Sequence, residues 1–415
     1  MVAVHMVAVT VMHVVDVIVV DDCNMATART VHVRVLVFGG VIVVGVPMAV
    51  GFHEGSLSQG VGSDPDSTVV EYGTWKQNFE QGRAPSAFDG WNVLMGALDR
   101  FVDKALDATV VGGFSKVGYL VRSRTWEMLP SDALRGRMVV VTGPTSGLGL
   151  AAARRFRALG ADLVLVGRNH DKLTVVADEL ALHAGGELRM VIADMGDLES
   201  VRRAADELRS LGQIDVLVHN AGALTKSRVE SPQGIESTIA THVIGPHLLT
   251  RSLMDLLRGG RVITVASGGM YAASLPPTSG GRSPEMPPSR YDGTKQYAIA
   301  KRMQVTLNEV WASRTPMIQF HSMHPGWADT PGVRTSLPGF ARLTGPVLRS
   351  ADEGADTIVW LAATTDTNLG ASGGFWCDRE RRSIHRLPST RRSDTSMARE
   401  ALWEWVEEKS SLTKS

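Results

Sequence analysis

The sequence predicts an α/β fold built on a doubly wound parallel sheet, as a single catalytic domain with an N-terminal extension and a helical arm. Three observations predict it. From Met138 onward, short apolar runs alternate with amphipathic stretches long enough to be helices. The runs are continuously apolar, as strands covered on both faces must be. A glycine-rich turn also joins the first run to the first amphipathic stretch.

The chain has 415 residues, enough for one large α/β domain with appendages. Its formal net charge is zero with 21% charged residues, so bulk electrostatics give no reason to expect nucleic acid or another highly charged partner. Cys23 and Cys377 are far apart and lack neighbours at metal-ligand spacing, which argues against a disulfide scaffold and a zinc site.

Residues 1–90 read as an extension. Residues 35–52, "VLVFGGVIVVGVPMAVGF", form an uncharged run at the short end of what crosses a bilayer, weakened as a helix by three glycines and Pro47. A membrane anchor is one reading. The other is a poorly ordered or untranslated leader, with the functional chain starting near Met95 and cytoplasmic. Residues 53–90 are rich in Gly, Ser, Asp, Pro and Gln and read as a linker.

Residues 91–135 read as the arm. Leu94, Leu98, Phe101, Val102 and Ala105 recur at helical spacing, and Phe114, Val117, Leu120 and Val121 suggest a second, shorter helix. Such a pair packs on the main domain or lies on a membrane surface.

Residues 136–378 hold the predicted sheet. Its strands are "MVVVT" (138–142), "DLVLVG" (162–167), "LRMVIAD" (188–194), "IDVLVHN" (214–220), "GRVITVAS" (260–267) and "IQFHSMHP" (318–325). Leu148, Ala152, Phe156 and Leu159 mark one face of the first helix between them. Residues 379–415 carry the basic run "RERRSIHRLPSTRR", a solvated surface or a contact for acidic lipid, and a last helix marked by Leu402, Trp405 and Val406.

After the first strand stands "TGPTSGLGL", in which Thr142, Gly143, Gly147 and Gly149 form T-G-x-x-x-G-x-G, with Thr145, Ser146 and Leu148 between and beside the glycines. A turn free of side chains lets backbone N–H groups at a helix start approach a pyrophosphate and meet its charge with the helix dipole. Strand before and helix after make this a Rossmann-type dinucleotide site. The second strand ends in Arg168, where an NAD site offers a carboxylate to the ribose. A guanidinium there pairs with a 2′-phosphate, so NADP is expected over NAD. Asp194, closing "VIAD" before Met195, is placed to accept from the adenine amino group or to cap the next helix.

"YDGTKQYAIAK" contains Tyr-x-x-x-Lys twice, as Tyr291 with Lys295 and Tyr297 with Lys301. A tyrosine working as acid or base needs a cation beside its phenol, and i, i+4 on one helix supplies it. Asp292-Gly293 is a turn dipeptide, so the first pair straddles a helix start. "AIA" between Tyr297 and Lys301 is fully helix-compatible, and the second pair is the candidate.

The glycine motif, "NAG" at Asn220, Ala221 and Gly222, Ser267 closing the fifth strand, Tyr297-x-x-x-Lys301 and "PG" at Pro325 and Gly326 together resemble the short-chain dehydrogenase/reductases. "VITVASGGM", "HSMHPGWADTPGVR" and "LRSADEGADT" are similar to the subgroup called dehydrogenase/reductase member twelve. The resemblance implies hydride transfer between a nicotinamide and a carbonyl or alcohol carbon. Tyr297 would move the proton, Ser267 hold the substrate oxygen, and Lys301 lower the Tyr297 pKa and hold the ribose. Residues from Pro325 to Thr330 would line the nicotinamide side. Family members often form homo-oligomers.

One position departs from the family pattern. Where an asparagine usually holds a proton-relaying water, this chain has His242, which either carries the relay itself or weakens catalysis. Leu337, Pro338, Phe340 and Leu343 would form an apolar lid, so a hydrophobic small-molecule substrate is expected.

Overall fold

The structure is a computed structural model that describes residues 13–19, 29–38, 41–45, 102–107, 109–183, 185–336, 339, 342 and 344–413. The chain divides into two units, residues 1–86 and 87–415.

In the first unit, β1 (His13–Val19), β2 (Arg29–Phe38) and β3 (Val41–Gly45) form a three-stranded antiparallel sheet in that order. The stretch expected as a possible membrane helix is therefore extended wherever it is described. Its valines and isoleucine favour strand over helix because branching at Cβ stiffens χ1. Residues 46–52, the linker, Met95 and Cys23 lie outside the described residues. Among the described residues no helix is long and apolar enough to cross a membrane.

The described part of the second unit starts with helical residues 102–107, followed by α1 (Val110–Phe114) and α2 (Lys116–Arg122). The predicted single second helix is broken at Ser115, whose extended backbone separates the two.

The sheet contains β4 (Met138–Thr142), β5 (Asp162–Gly167), β6 (Leu188–Ile192), β7 (Val216–His219), β8 (Arg261–Val265), β9 (Gln319–Met323), β10 (Phe375–Cys377) and β11 (Glu380–Arg381). Its order is β11-β10-β9-β8-β7-β4-β5-β6, parallel throughout except for the β10–β11 pair. Six strands coincide with the expected runs; β10 and β11 were not expected. Strand order reverses between β4 and β7, which opens a crevice at their carboxyl ends where such sheets bind ligands.

Helices α3 (Gly147–Ala158), α4 (His170–Ala181) and α5 (Leu198–Arg209) follow the first three parallel strands. Next, α6 (Ser237–Ile239) passes through a π-helical turn (Ala240–Ile244) into α7 (Gly245–Ser252). The long α8 (Gly293–Arg314) precedes β9, and α9 (Pro331–Ser336), α10 (Ala351–Ala363) and α11 (Asp366–Leu369) precede β10. Two more, α12 (Pro388–Ser393) and α13 (Ser396–Ser410), complete the chain. The expected lid residues Leu337, Pro338, Phe340 and Leu343 lie outside the described residues.

Alternation along buried strands divides the core in two. Val140, Val164, Leu217 and Phe320 face a cluster with α5, α7, α8 and α13. Val139, Val141, Leu165, Val218 and Ile263 face α3, α4 and α10. Phe156 of α3 is fully buried in the second cluster, so its truncation to Ala should cost about 3–5 kcal/mol. Close packing of α10 on α3 needs Gly354, where a Cβ would lie 2.7 Å from the Leu148 side chain.

Candidate active site

At the crevice, Thr142 and Asn220 tie β4 to β7. Thr142 Oγ1 donates to the Val218 carbonyl at 3.2 Å and accepts from the N–H groups of Asn220 and Ala221, both at 3.0 Å. Asn220 Nδ2 donates to the Thr142 and Gly143 carbonyls at 3.0 Å each. Both side chains thus hold the glycine turn rather than reach outward from it. Gly143 has φ +69°, and a Cβ there would lie 2.8 Å from Ala221 Cα. At Gly149 a Cβ would lie 2.2 Å from the Gly143 carbonyl oxygen. Only glycine permits these approaches.

Ser146 precedes α3 in extended conformation, and no side chain caps this helix, whereas α4, α5, α8, α10 and α13 each have a side-chain cap. Uncapped N–H groups, the helix dipole and a cradle without side chains suit a pyrophosphate, and the residues fit a dinucleotide. Half-buried Thr145 and Leu148 flank the cradle, and Thr330 closes over it, 3.3 Å from where a Gly147 Cβ would stand.

Arg168 and Asp194 lie side by side at the ends of β5 and β6, with Nη1 and Oδ2 3.7 Å apart. The guanidinium is 74% exposed, leaving it available to an anion. Asp194 Oδ1 accepts from Gly196 N–H at 2.8 Å. The cap of α5 is Asp197 instead. Met195 is buried, and its carbonyl stands so near Gly245 that a Cβ there would collide with it.

Between the two Tyr-Lys pairs, the helix start decides the geometry. Asp292 caps α8, accepting from Thr294 and Lys295 N–H at 3.0 and 3.1 Å, so Tyr291 precedes the helix. The Tyr291 hydroxyl donates to buried Glu236 at 2.9 Å and lies 2.8 Å from Thr225 Oγ1, while the Lys295 side chain is 73% exposed. Tyr297 and Lys301 share one inward face of α8. Lys301 Nζ lies 5.3 Å from the Tyr297 ring centroid and donates to the Val265 carbonyl at 2.8 Å. Burial pulls the ammonium down to about 7. Burial raises the Tyr297 phenol, and a hydrogen bond with Ser267 pulls the other way. Ser267 Oγ also accepts from Gly269 N–H at 3.3 Å, turning the chain after β8 over the Tyr297 end of α8.

His242 sits within the π-helical turn, a distortion that often marks functional sites. Its ring meets Tyr297 edge-on at 5.3 Å. Burial, then the Lys301 charge, lowers its pKa well below the ordinary value, so the imidazole is neutral at physiological pH. Nε2 faces both the Ala223 N–H at 3.1 Å and the Ala223 carbonyl at 2.9 Å, so either neutral tautomer is satisfied there. Nδ1 is buried without a protein partner, as are Nδ1 of His219 and His247, Gln304 Oε1 and both amide atoms of Asn308. All five side chains line one cavity of about 30 Å³. That is room for about two waters.

Pro325, Gly326 and Trp327 leave β9 beside Ser267, with Gly326 at φ +71°. A Cβ on Gly326 would strike the buried Arg349 guanidinium at 2.4 Å and the Phe114 carbonyl at 2.6 Å. Sequence reasoning missed Arg349, Asp378 and the place of Phe114; their signals are a lone charge and an apolar residue, which sequence alone does not distinguish from surface and core.

A short chain dehydrogenase family model matches residues 137–336. A bovine protein named dehydrogenase/reductase SDR family member 12 is 36% identical over 302 residues, covering 71% of this chain and 93% of its own. The chain belongs to the short-chain dehydrogenase/reductase family. A mouse polyprenol dehydrogenase is 29% identical, covering 59% of this chain and 76% of its own. A crystal structure of an uncharacterized protein from Mycobacterium paratuberculosis shares the fold with a TM-score of 0.53, at 24% identity, covering 69% of this chain and 97% of that one. As a member of this family the protein is a dehydrogenase/reductase that uses NAD(P) and acts on a small molecule.

Proposed function

We propose that the protein is an NADP-dependent oxidoreductase that interconverts a hydrophobic carbonyl and its alcohol, with Tyr297 as acid and base. The observation that carries this reading is half-buried Tyr297 paired with buried Lys301 beside Ser267. Bound NADPH supplies the hydride. The Ser267 hydroxyl holds the substrate oxygen, and the Tyr297 hydroxyl donates a proton to it as the alcohol forms. A raised phenol pKa keeps that proton in place at neutral pH, the form reduction requires. Protonated Lys301 then stabilises the phenolate, and a proton drawn from solvent restores the Tyr297 hydroxyl.

Gly143, Gly147 and Gly149 would hold the pyrophosphate. Arg168, exposed beside Asp194, supports NADP over NAD because it matches a 2′-phosphate. The mouse relative's name supports an apolar substrate, since a polyprenol is a long apolar alcohol. NADPH oxidation across apolar aldehydes, ketones and quinones tests the reading. The parent and Tyr291→Phe should turn over, and Tyr297→Phe should not. Unchanged turnover in Tyr297→Phe would refute it.

A second reading, cofactor binding without turnover, is favoured by His242 in the asparagine's place. It predicts NADPH binding with no hydride transfer to any carbonyl, and gain of turnover in His242→Asn.

A further inference from the structure

We propose that the arm is part of the active site, with Phe114 as a positioning residue that holds the turn after Ser267 and the segment after Pro325 at their working separation. The effect on turnover rests on the function proposed above; the effect on local structure does not.

Phe114 stands between the two segments. On one side its ring approaches Gly268 so closely that a Cβ there would lie 2.9 Å from Cε2. Gly268 immediately follows Ser267, so the ring sets how far that turn can move inward. On the other side the Phe114 carbonyl accepts from Trp327 N–H at 2.7 Å, and the ring meets His324 edge-on at 4.3 Å and Trp327 at 6.3 Å. One residue thus contacts both walls of the reaction centre by different atoms.

The arm is fastened by charges from distant parts of the chain. Arg349 is 1% exposed; Nε donates to the Ser115 carbonyl at 3.1 Å, Nη2 to the Gly113 carbonyl at 3.2 Å and Nη1 to the Pro325 carbonyl at 3.3 Å. The same guanidinium pairs with both oxygens of Asp378, at 2.5 and 2.8 Å. Its backbone N–H donates to the Trp327 carbonyl at 2.8 Å, and its carbonyl accepts from Asp329 at 2.8 Å. Arg122 of the arm joins Asp378 at 2.7 Å and Asp103 at 2.6 Å. Asp103 also binds Arg382, and Asp107 binds Arg386 at 2.5 Å. Arg382 and Arg386 of the basic run are therefore the docking ground for the arm's carboxylates, while Arg381, Arg391 and Arg392 of the same run stay exposed. A bidentate, fully bonded buried pair fixes geometry more than it adds stability.

The test uses the full chain, with Phe114→Ala, Phe114→Leu and the exposed arm position Val117→Ala as control. Hydrogen exchange of residues 324–330 and 267–271 should accelerate by about tenfold in Phe114→Ala, far beyond the change in the rest of the sheet. Turnover should fall by about 10–100-fold, because small misplacements of the reacting groups cost this much. Phe114→Leu should recover part of both, and Val117→Ala should match the parent. If Phe114→Ala does not fold, the same comparison is made with Phe114→Leu. Unchanged exchange in both segments overturns the proposal whether or not the parent turns over a carbonyl. A parent without turnover, but with the exchange response intact, counts against the proposed reaction and not against the arm's role.

Discussion

A Cβ placed on Gly222 would lie 2.2 Å from Cε1 of His242. The imidazole, held on a buried π-helical turn, occupies the space that a side chain on the "NAG" turn would need. Gly222→Ala should therefore destabilise the protein by about 1–3 kcal/mol through overpacking. His242→Ala in the same chain should restore much of that loss. Denaturant midpoints of the two single variants and the double variant measure the coupling; additive losses would mean that the two positions do not touch.

Lys301 sets a pH dependence in the cofactor-free protein. Its native pKa is about 7 against an ordinary 10.5. Between these values the unfolded chain holds a proton that the native protein lacks, so the contribution of this site to stability rises with pH across that window and is lowest below about 7. From pH 7 to 9 the rise should be about 2 kcal/mol. Lys301→Met should lack it, and the difference between the two unfolding curves isolates the site.

Cofactor choice should follow Arg168. Arg168→Asp removes the guanidinium and puts a carboxylate beside Asp194, which repels a 2′-phosphate and can accept from ribose hydroxyls. The ratio of NADPH to NADH affinity should fall by about 10–100-fold, measured as two dissociation constants. An unchanged ratio would assign Arg168 to the surface.

Asp378 should matter more than any exposed acidic residue. It is 1% exposed, adopts φ +56° and bonds to both Arg349 and Arg122. Asp378→Ala strands two buried cations and should cost about 3–5 kcal/mol by chemical unfolding. Replacing exposed Asp171 in the same way should cost under about 0.5 kcal/mol.

Continuous apolar runs made six strands of the parallel sheet legible, since only strands covered on both sides read that way. Phe375–Cys377 and Glu380–Arg381 escaped notice because three and two residues carry no period. The turn dipeptide Asp292-Gly293 marked the helix start that separates Tyr291 from Tyr297. Nothing local marked the π-helical turn. Nor could spacing reveal that Asp103 meets Arg382, 279 residues away, or that Phe114 reaches the turn after Ser267. Those contacts exist only once the sheet has brought distant segments to one edge.

The widened turn at Ala240–Ile244 takes up one residue more than an α-helical turn without changing the facing of the helix on either side. Leu248 and Leu249 stay in the core while the ring at position 242 is displaced to its seat against Tyr297. Deleting one residue there should close the bulge and withdraw that ring while leaving the facing of α7 intact, so the position of the ring and the packing of the helix are separable.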